Sequence, residues 1–287
     1  MSANKPRVLL TGATGFLGKA TADTLQQSGF EIIRAVRHPC HPGEIKLDFS
    51  DLRSFESLLG SNQFDVMVHI GAKVDFQTSA IDDFFPENIC ATAILLWIAR
   101  SVGIQFVFAS AALVGEHPPT NNHSFFESCS SHPYIKSKWI GELLAAASGV
   151  NATILRFGGI YGRNGPEHLG INKAIRSAAI GITPTVFGEG LAQRNYIYVK
   201  DAAQQIEFAI TNRVYGTHII AGTENLSIRE MLGSVCETFL PGKSPLHARG
   251  PETTDQIFKP SSEFPKTRLF SEGLADILEE VARCSSA

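Results

Sequence analysis

A tyrosine and a lysine four residues apart, in the run Tyr134-Ile135-Lys136-Ser137-Lys138, are the side chains of this sequence whose types and spacing most directly suggest chemistry. Residues at i and i+4 share a helix face, so the phenol and the ammonium point the same way while Ile135 and Ser137 do not. A free phenol titrates near ~10 and is a poor base at neutral pH, but a neighbouring ammonium stabilises the phenolate and draws it toward the working range. Ser110 closes the strand-like run Phe106-Val107-Phe108-Ala109-Ser110, where its hydroxyl could orient a substrate oxygen. A tyrosine–lysine pair at this spacing is common by chance, so the elements that position it carry much of the argument.

The second chemical feature is a set of glycines. Thr11-Gly12-Ala13-Thr14-Gly15-Phe16-Leu17-Gly18 follows the strand-like Arg7–Thr11 and opens a helical segment. Glycine lets the backbone turn sharply and approach a pyrophosphate, and a helix N-terminus offers free N–H groups and a positive dipole end. Gly12, Thr14, Gly15, Phe16, Leu17 and Gly18 are therefore expected to cradle a dinucleotide; a tight turn without a ligand is the plainer alternative. The second strand, Glu31–Val36, ends without the acid that accepts from the ribose hydroxyls of NAD. Val36 stands there and Arg37 follows, so NADP is favoured over NAD, with Arg37 as a solvated surface charge the competing reading. Asp48, followed by Phe49, is placed to accept from the adenine amine, or else to cap a helix with Ser50 or Asp51. After the strand Val66–Ile70, the small residues Gly71 and Ala72 let the backbone pass close beneath a cofactor, and His69 reads as a packed strand histidine. Neither His38, Cys40 and His41 nor His117, His123, Cys129 and His132 have a recognised metal spacing, so no metal is expected.

These residues need a scaffold, and the chain supplies a regular one. Arg7–Thr11, Glu31–Val36, Val66–Ile70, Phe106–Ala109 and Ala152–Phe157 are β-rich and alternate with helical segments. That alternation predicts an α/β fold, a doubly wound parallel sheet covered on both faces. After Gly162 the texture turns Gly- and Pro-rich, which predicts a dinucleotide-binding domain over residues 1–162, with 197–221 returning to it, and a smaller C-terminal substrate-binding lobe over 163–196 and 222–287. A formal net charge of −3 offers no footprint for nucleic acid or an anionic membrane and favours a small-molecule partner. Five scattered cysteines without a CxxC pair suggest a reducing compartment, read as cytoplasmic. The N-terminal apolar run is too short for a signal peptide, and Ile89–Ala99 is about half the ~20 residues that span a bilayer.

The motifs TGATGFLG, Ser110–Gly115, YIKSK and Arg194-Asn195-Tyr196-Ile197-Tyr198-Val199-Lys200-Asp201 occur in the order of the extended short-chain dehydrogenases/reductases, and the chain resembles this NAD-dependent epimerase/dehydratase family from Arg7 to about Glu230. Asn88, Arg156, Gly216 to Gly222, Ser227 and Glu230 belong to the resemblance as well. It implies a Rossmann-type sheet, Tyr134 as acid/base, Lys138 lowering its pKa and holding the nicotinamide ribose, and Ser110 positioning the reacting oxygen. Ala111 and Ala112 stand where family dehydratases carry Asp and Glu, which disfavours sugar dehydration. Val114 replaces a tyrosine, and Gly159 an asparagine that helps hold nucleotide sugars. Arg194 resembles a diphosphate-binding residue, with Arg249 a poorer second; a salt bridge from Arg194 to Asp201 or Glu189 is the structural alternative.

Three functions follow from the resemblance. The first is reversible reduction of a carbonyl with NADPH; the second is a nucleotide-sugar 4-epimerase with retained NAD; the third is a non-catalytic NADP-sensing protein. The family also implies a homodimer through the apolar helix from Asn88 to Trp97 and the helix after Tyr134, which carries Ile140, Leu143 and Leu144. Burial of both helices within one subunit is the alternative.

Overall fold

The structure is a computed structural model describing residues 5–58, 64–115 and 132–285. The chain divides into two compact units, one built from the chain up to Phe157 together with Ala203–His218, the other from Gly158–Ala202 and Ile219 onward.

In the first unit the elements run β1 (Arg7–Thr11), α1 (Phe16–Gln27), β2 (Glu31–Val36), β3 (Ile45–Lys46), β4 (Val66–His69), α2 (Ala91–Val102), β5 (Gln105–Ala111), α3 (Pro133–Ser148) and β6 (Ala152–Phe157). β1 pairs in parallel with β2 on one side and β4 on the other; β4–β5 and β5–β6 are parallel too. The strand order therefore reverses beside β1, and the chain leaves the carboxyl ends of β1 and β4 in opposite directions, opening the crevice where doubly wound sheets bind ligands. The register places Thr11 opposite both Ala35 and His69, so the glycine loop after β1, the end of β2 and the Gly71 turn after β4 meet at that crevice.

The strands are buried on both faces, as the unbroken apolar runs require: Val8, Leu9 and Leu10 are fully buried, as are Met67, Phe106 and Val107. Leu9, Met67, Phe106 and Phe108 pack with Leu95, Leu96 and Ala145 from α2 and α3. Each such side chain contributes about 1.5–3 kcal/mol. This packing presses α3, the carrier of Tyr134 and Lys138, onto the sheet. The helical run after the Gly71 turn opens with a 3-10 turn at Ile81–Phe84, passes through a π-helical turn at Phe85–Cys90 that contains Asn88, and only then becomes α2.

The second unit holds short pairs: β7 (Ile160–Tyr161) with β10 (Ile197–Tyr198), β8 (Thr185–Phe187) with β13 (Leu246–Ala248), and β9 (Gln193–Arg194) antiparallel to β12 (Leu226–Ser227). Its helices are α4 (Gly170–Ala179), α6 (Ile228–Phe239) and α7 (Phe270–Ser285). Ser227 and Glu230 form a reciprocal capping box at the start of α6. Asp201, 3% exposed, takes Arg268 at 2.7 Å, and Lys200 reaches Asp276 and Glu280 at 2.9 and 2.7 Å, which ties α7 down. The unit boundary falls within α5 (Val199–Thr211), and β11 (Gly216–Ile220) completes a seven-stranded sheet in the order β11-β6-β5-β4-β1-β2-β3. No helix among the described residues is long and apolar enough to cross a membrane.

Candidate active site

The glycine loop is shaped by backbone crowding. A Cβ on Gly18 would stand 2.0 Å from the Gly12 carbonyl oxygen, and one on Gly12, whose φ is +71°, would meet the Gly71 backbone at 2.6 Å. Two main-chain segments therefore touch where the crevice opens, leaving no room for side chains. The Leu17 side chain is core, so only its N–H can face an anion, whereas Thr14 and Gly15 are exposed. The first N–H groups of α1 have no intrahelical acceptor by geometry, and Gly15 occupies its N-cap without a side-chain cap. These features fit a dinucleotide pyrophosphate.

The wall beside the loop is held by a chain of hydrogen bonds. Gly71 N–H donates to Thr11 Oγ1 at 3.2 Å, Thr11 Oγ1 and His69 Nδ1 are 2.8 Å apart, His69 Nε2 and Thr92 Oγ1 are 3.0 Å apart, and Thr92 donates to the Asn88 carbonyl at 2.5 Å. With the Thr92 proton committed to Asn88 O, His69 must donate from Nε2 and accept from Thr11 at Nδ1. Burial, helped by the Lys138 charge, pulls His69 down to about 3, so it stays neutral. Asn88 continues the chain: Oδ1 accepts from Lys73 N–H at 2.8 Å, and Nδ2 donates to Lys73 O at 3.0 Å and Ser137 Oγ at 2.9 Å. Ser137 in turn donates to the Tyr134 carbonyl at 2.7 Å. His69 is thus a packed histidine, as its strand position suggested, and also the central link in the wall.

Around the expected adenosine end, Arg37 stands 3.8 Å from Asp48 and 3.6 Å from Glu87, with its side chain 55% exposed. Asp48 Oδ1 also accepts from Ser50 N–H at 3.0 Å in a local turn, while the side chain that caps the 3-10 turn Leu52–Leu58 is Asp51, whose Oδ1 accepts from Arg53 N–H at 3.1 Å. The Phe49 ring lies edge-on to His69 at 5.5 Å and would meet a Cβ on Gly71 at 2.8 Å, which explains a glycine there. Sequence reasoning missed a cavity of about 410 Å³ beside the loop, lined by Ala13, Thr14, Lys19, Ile32, Arg34 and His41 among others. Glu44 also borders it, but one of its oxygens accepts from the N–H groups of Cys40 and His41 at 2.7 and 3.1 Å.

At the reacting end, α3 starts at Pro133, with the His132 side chain accepting from Tyr134 N–H at 3.1 Å. The Tyr134 ring packs against Phe76 and Phe84 at 5.2 and 6.1 Å. That apolar wall raises the phenol to about 12 instead of drawing it toward neutrality as the sequence suggested. Lys138 Nζ donates to the Ala109 carbonyl at 2.8 Å and lies over the Phe108 ring at 4.8 Å. Burial pulls Lys138 down to about 8, with Glu142 opposing it. Ser110, 6% exposed, donates to Glu142 Oε1 at 2.5 Å. The fork of Arg156 grips the same carboxylate, Nε to Oε1 at 2.9 Å and Nη2 to Oε2 at 2.6 Å. A Cβ on Gly115 would come within 2.9 Å of the third guanidinium nitrogen, so glycine there leaves room for the arginine. Glu142 escaped sequence reasoning, although its place one turn beyond Lys138, on the face of Tyr134, was a usable signal.

In the second unit Arg194 is 8% exposed, and Nη1 donates to the carbonyls of Gln193 and Thr254 at 2.8 and 2.7 Å. The expected structural partners are taken by others, Glu189 by Arg229 at 3.0 Å and Asp201 by Arg268. Gly159 has a local cause: a Cβ there would stand 2.4 Å from the Tyr196 ring. Arg249 carries no shown role. His117, His123 and Cys129 lie outside the described residues, and among those described no three His, Cys, Asp or Glu could hold a metal ion.

A model of the NAD dependent epimerase/dehydratase family matches residues 8–222. A UDP-N-acetyl-alpha-D-glucosaminuronate decarboxylase of Bacillus cytotoxicus is 28% identical over 253 residues, covering 79% of this chain and 78% of its own. Among solved structures, MoeE5 in complex with UDP-glucose and NAD aligns with a TM-score of 0.78 at 25% identity, covering 98% of this chain and 100% of its own. The UDP-N-acetylglucosamine 4-epimerase of Bacillus cereus aligns with a TM-score of 0.81 at 23% identity, covering 96% and 99%.

Proposed function

This chain belongs to the NAD dependent epimerase/dehydratase family, and from that premise we propose that it is a nicotinamide-dependent oxidoreductase that reduces a carbonyl of a nucleotide sugar to a secondary alcohol. The observation that carries this reading is the placement of Tyr134 one helical turn from the buried Lys138 on α3, with Lys138 Nζ donating to Ala109 O at 2.8 Å beside Ser110 near the end of β5. A protonated phenol is the acid that carbonyl reduction needs. A bound nicotinamide cofactor supplies the hydride. Tyr134 delivers its proton to the oxygen that becomes the alcohol, Lys138 stabilises the phenolate left behind, and Ser110 contacts the same oxygen. Gly12, Thr14, Gly15, Phe16, Leu17 and Gly18 hold the pyrophosphate; Asp48, Phe49, Gly71 and Ala72 border the adenosine. Arg194 remains the second unit's candidate for a nucleotide diphosphate.

NADP is the favoured cofactor. Arg37 together with Lys19 and Arg34, which line the cavity with a single acid, Glu44, gathers positive charge beside the glycine loop, which suits a 2′-phosphate. The 4-epimerase reading retains support from the nucleotide-sugar relatives and needs the same Ser110, Tyr134 and Lys138. A homodimer is favoured by Phe85, Trp97 and Leu143, apolar side chains 51%, 59% and 41% exposed on the α2–α3 face and the turn before it. A reducing, cytoplasmic setting fits the unpaired cysteines Cys40, Cys90, Cys236 and Cys284.

The test is to release and identify any copurifying dinucleotide, titrate the emptied protein with NADPH and NADH, and assay NADPH consumption with a UDP-4-keto sugar. An empty site that prefers NADPH and reduces the ketone supports the reductase. Tightly held NAD with turnover of UDP-glucose to its epimer would replace it by the epimerase.

A further inference from the structure

Ser110 has one proton, and the structure shows where it goes. Its hydroxyl donates to Glu142 Oε1 at 2.5 Å, a buried carboxylate that Arg156 clamps from the other side through Nε and Nη2. Glu142 is 6% exposed and sits one turn beyond Lys138 on α3, while Ala109 and Ser110 lie just before Ala111, the last residue of β5, so the contact joins the two elements that carry the reacting groups. A hydrogen bond to a carboxylate is roughly twice as strong as one to a neutral acceptor. A ketone oxygen is a neutral acceptor and competes poorly with Glu142 for this proton. An alkoxide is anionic and more basic than a carboxylate whose charge is shared with a guanidinium. Interactions made more strongly in the transition state than in the ground state raise kcat and leave binding unchanged.

We infer that Glu142 is a positioning residue that withholds the Ser110 proton from the ground-state carbonyl, so that Ser110 donates to the reacting oxygen only as negative charge develops there. This rests on the carbonyl-reduction reading. Arg156 sets the balance: by sharing the carboxylate charge it lets Glu142 release the hydroxyl when a stronger acceptor appears. No atom is exchanged; the Ser110 O–H rotates from one acceptor to another.

The variant E142Q separates this from a structural role. With two Arg156 contacts on Oε2, from Nη2 at 2.6 Å and Nε at 3.2 Å, the amide oxygen takes that position and the amide nitrogen replaces Oε1, giving up the 2.9 Å bond from Nε; Ser110 then accepts and has its proton free for the ground-state ketone. Affinity is measured without turnover, by calorimetry of UDP-4-keto-6-deoxyglucose binding to protein loaded with oxidised dinucleotide. The expected result is about 10-fold tighter binding in E142Q together with lower kcat. S110A is expected to lose about 100-fold in kcat while its ketone affinity stays within about twofold. E142Q should change neither quantity further in the S110A background.

Loss of ketone affinity in S110A parallel to its loss of kcat would overturn the proposal, since Ser110 would then already donate in the ground state. Additive effects of the two variants would reduce Glu142 to a structural residue and overturn it as well. If E142Q does not fold, S110A alone still decides. Neutron diffraction of the substrate-free wild type judges the proton independently of any reaction: deuterium between Ser110 Oγ and Glu142 Oε1 supports the proposal, and deuterium directed elsewhere overturns it. Wild type that binds and turns over no UDP-keto sugar would instead fail the function reading, leaving the neutron map to decide the position of the proton.

Discussion

Thr11 Oγ1 and His69 Nδ1, at the ends of the neighbouring strands β1 and β4, are 2.8 Å apart in the buried floor beneath the glycine loop. The contact binds the start of the phosphate cradle to a hydrogen-bonded chain that ends at the main chain of Tyr134. Because every donor in that chain has one acceptor, the neutral Nε2–H tautomer of His69 is the only form that satisfies it. A buried neutral histidine makes stability depend on pH. The folded-state value, near 3, lies below the ordinary value of 6.5, so the unfolded chain takes up a proton first as pH falls. His69 therefore contributes stability that is intact above pH 6.5 and is lost progressively down to about 3, at up to about 1.4 kcal/mol per pH unit. Urea midpoints of wild type and His69→Gln measured across that range should converge at low pH; parallel curves would mean that His69 titrates normally.

The glycine loop yields a graded prediction. Gly18→Ala places a methyl 2.0 Å from the Gly12 carbonyl oxygen, whereas Gly15→Ala places one at 3.2 Å from the same atom. Overpacking against backbone costs about 1–3 kcal/mol, and relief requires the loop to open. Gly18→Ala should lower both the melting temperature and dinucleotide affinity, the latter by about tenfold or more, and Gly15→Ala should do little to stability. Thermal melts and NADPH titrations of the two variants check the ranking.

Tyr134→Phe should keep its dinucleotide affinity and lose turnover, because it removes the proton and leaves the packing against Phe76 and Phe84. The pH dependence follows from Lys138, which is cationic below about 8 and loses its proton above it. Carbonyl reduction should be level below that pH and decline above it as the phenolate loses its counter-charge. A kcat profile that stays level well above pH 8 would remove Lys138 from the chemistry.

How much of this was legible in the sequence depends on the range of the interaction that decides each feature. β1, β2 and β6 could be read residue for residue, because buried parallel strands must be apolar on both faces and end at glycine, serine or a charge. Tyr134 and Lys138 were legible as a pair from helical spacing. The direction of the Lys138 side chain was not, since the Ala109 carbonyl it meets belongs to another element. Glu142 and Arg156 are fourteen residues apart in sequence, and no local spacing pairs them until α3 is laid across β5 and β6. The π-helical turn around Asn88 has no period that a helix pattern reveals; it is visible only through the side-chain bonds to Lys73 and Ser137.

The competing readings of Arg37 can be separated by comparing it with the neighbouring cavity. Arg37 is shared between Asp48 and Glu87, while Arg34 makes a long 3.4 Å contact with Gln26 and faces the cavity that Lys19 and His41 also line. If this charge serves a 2′-phosphate, Arg34→Ala and Arg37→Ala should each weaken NADPH about 10-fold more than NADH, since only NADPH loses a charge-assisted bond. Equal losses for both dinucleotides in Arg37→Ala would restrict that residue to its ion pairs.

The α2–α3 face makes the last claim open to direct measurement. Trp97 is 59% exposed on a helix whose other side is fully buried against the sheet, and Leu143, 41% exposed, lies on α3. Burying a side chain of this size is worth about 1.5–3 kcal/mol, so a matching face on a second subunit gains several such increments at once, and a charge placed there would cost comparably. Trp97→Glu and Leu143→Glu should therefore leave the far-UV spectrum and the dinucleotide affinity unchanged while converting a dimer to a monomer in analytical ultracentrifugation. Wild type that sediments as a monomer at all concentrations would show that water covers this face, and that its exposed tryptophan serves something other than self-association.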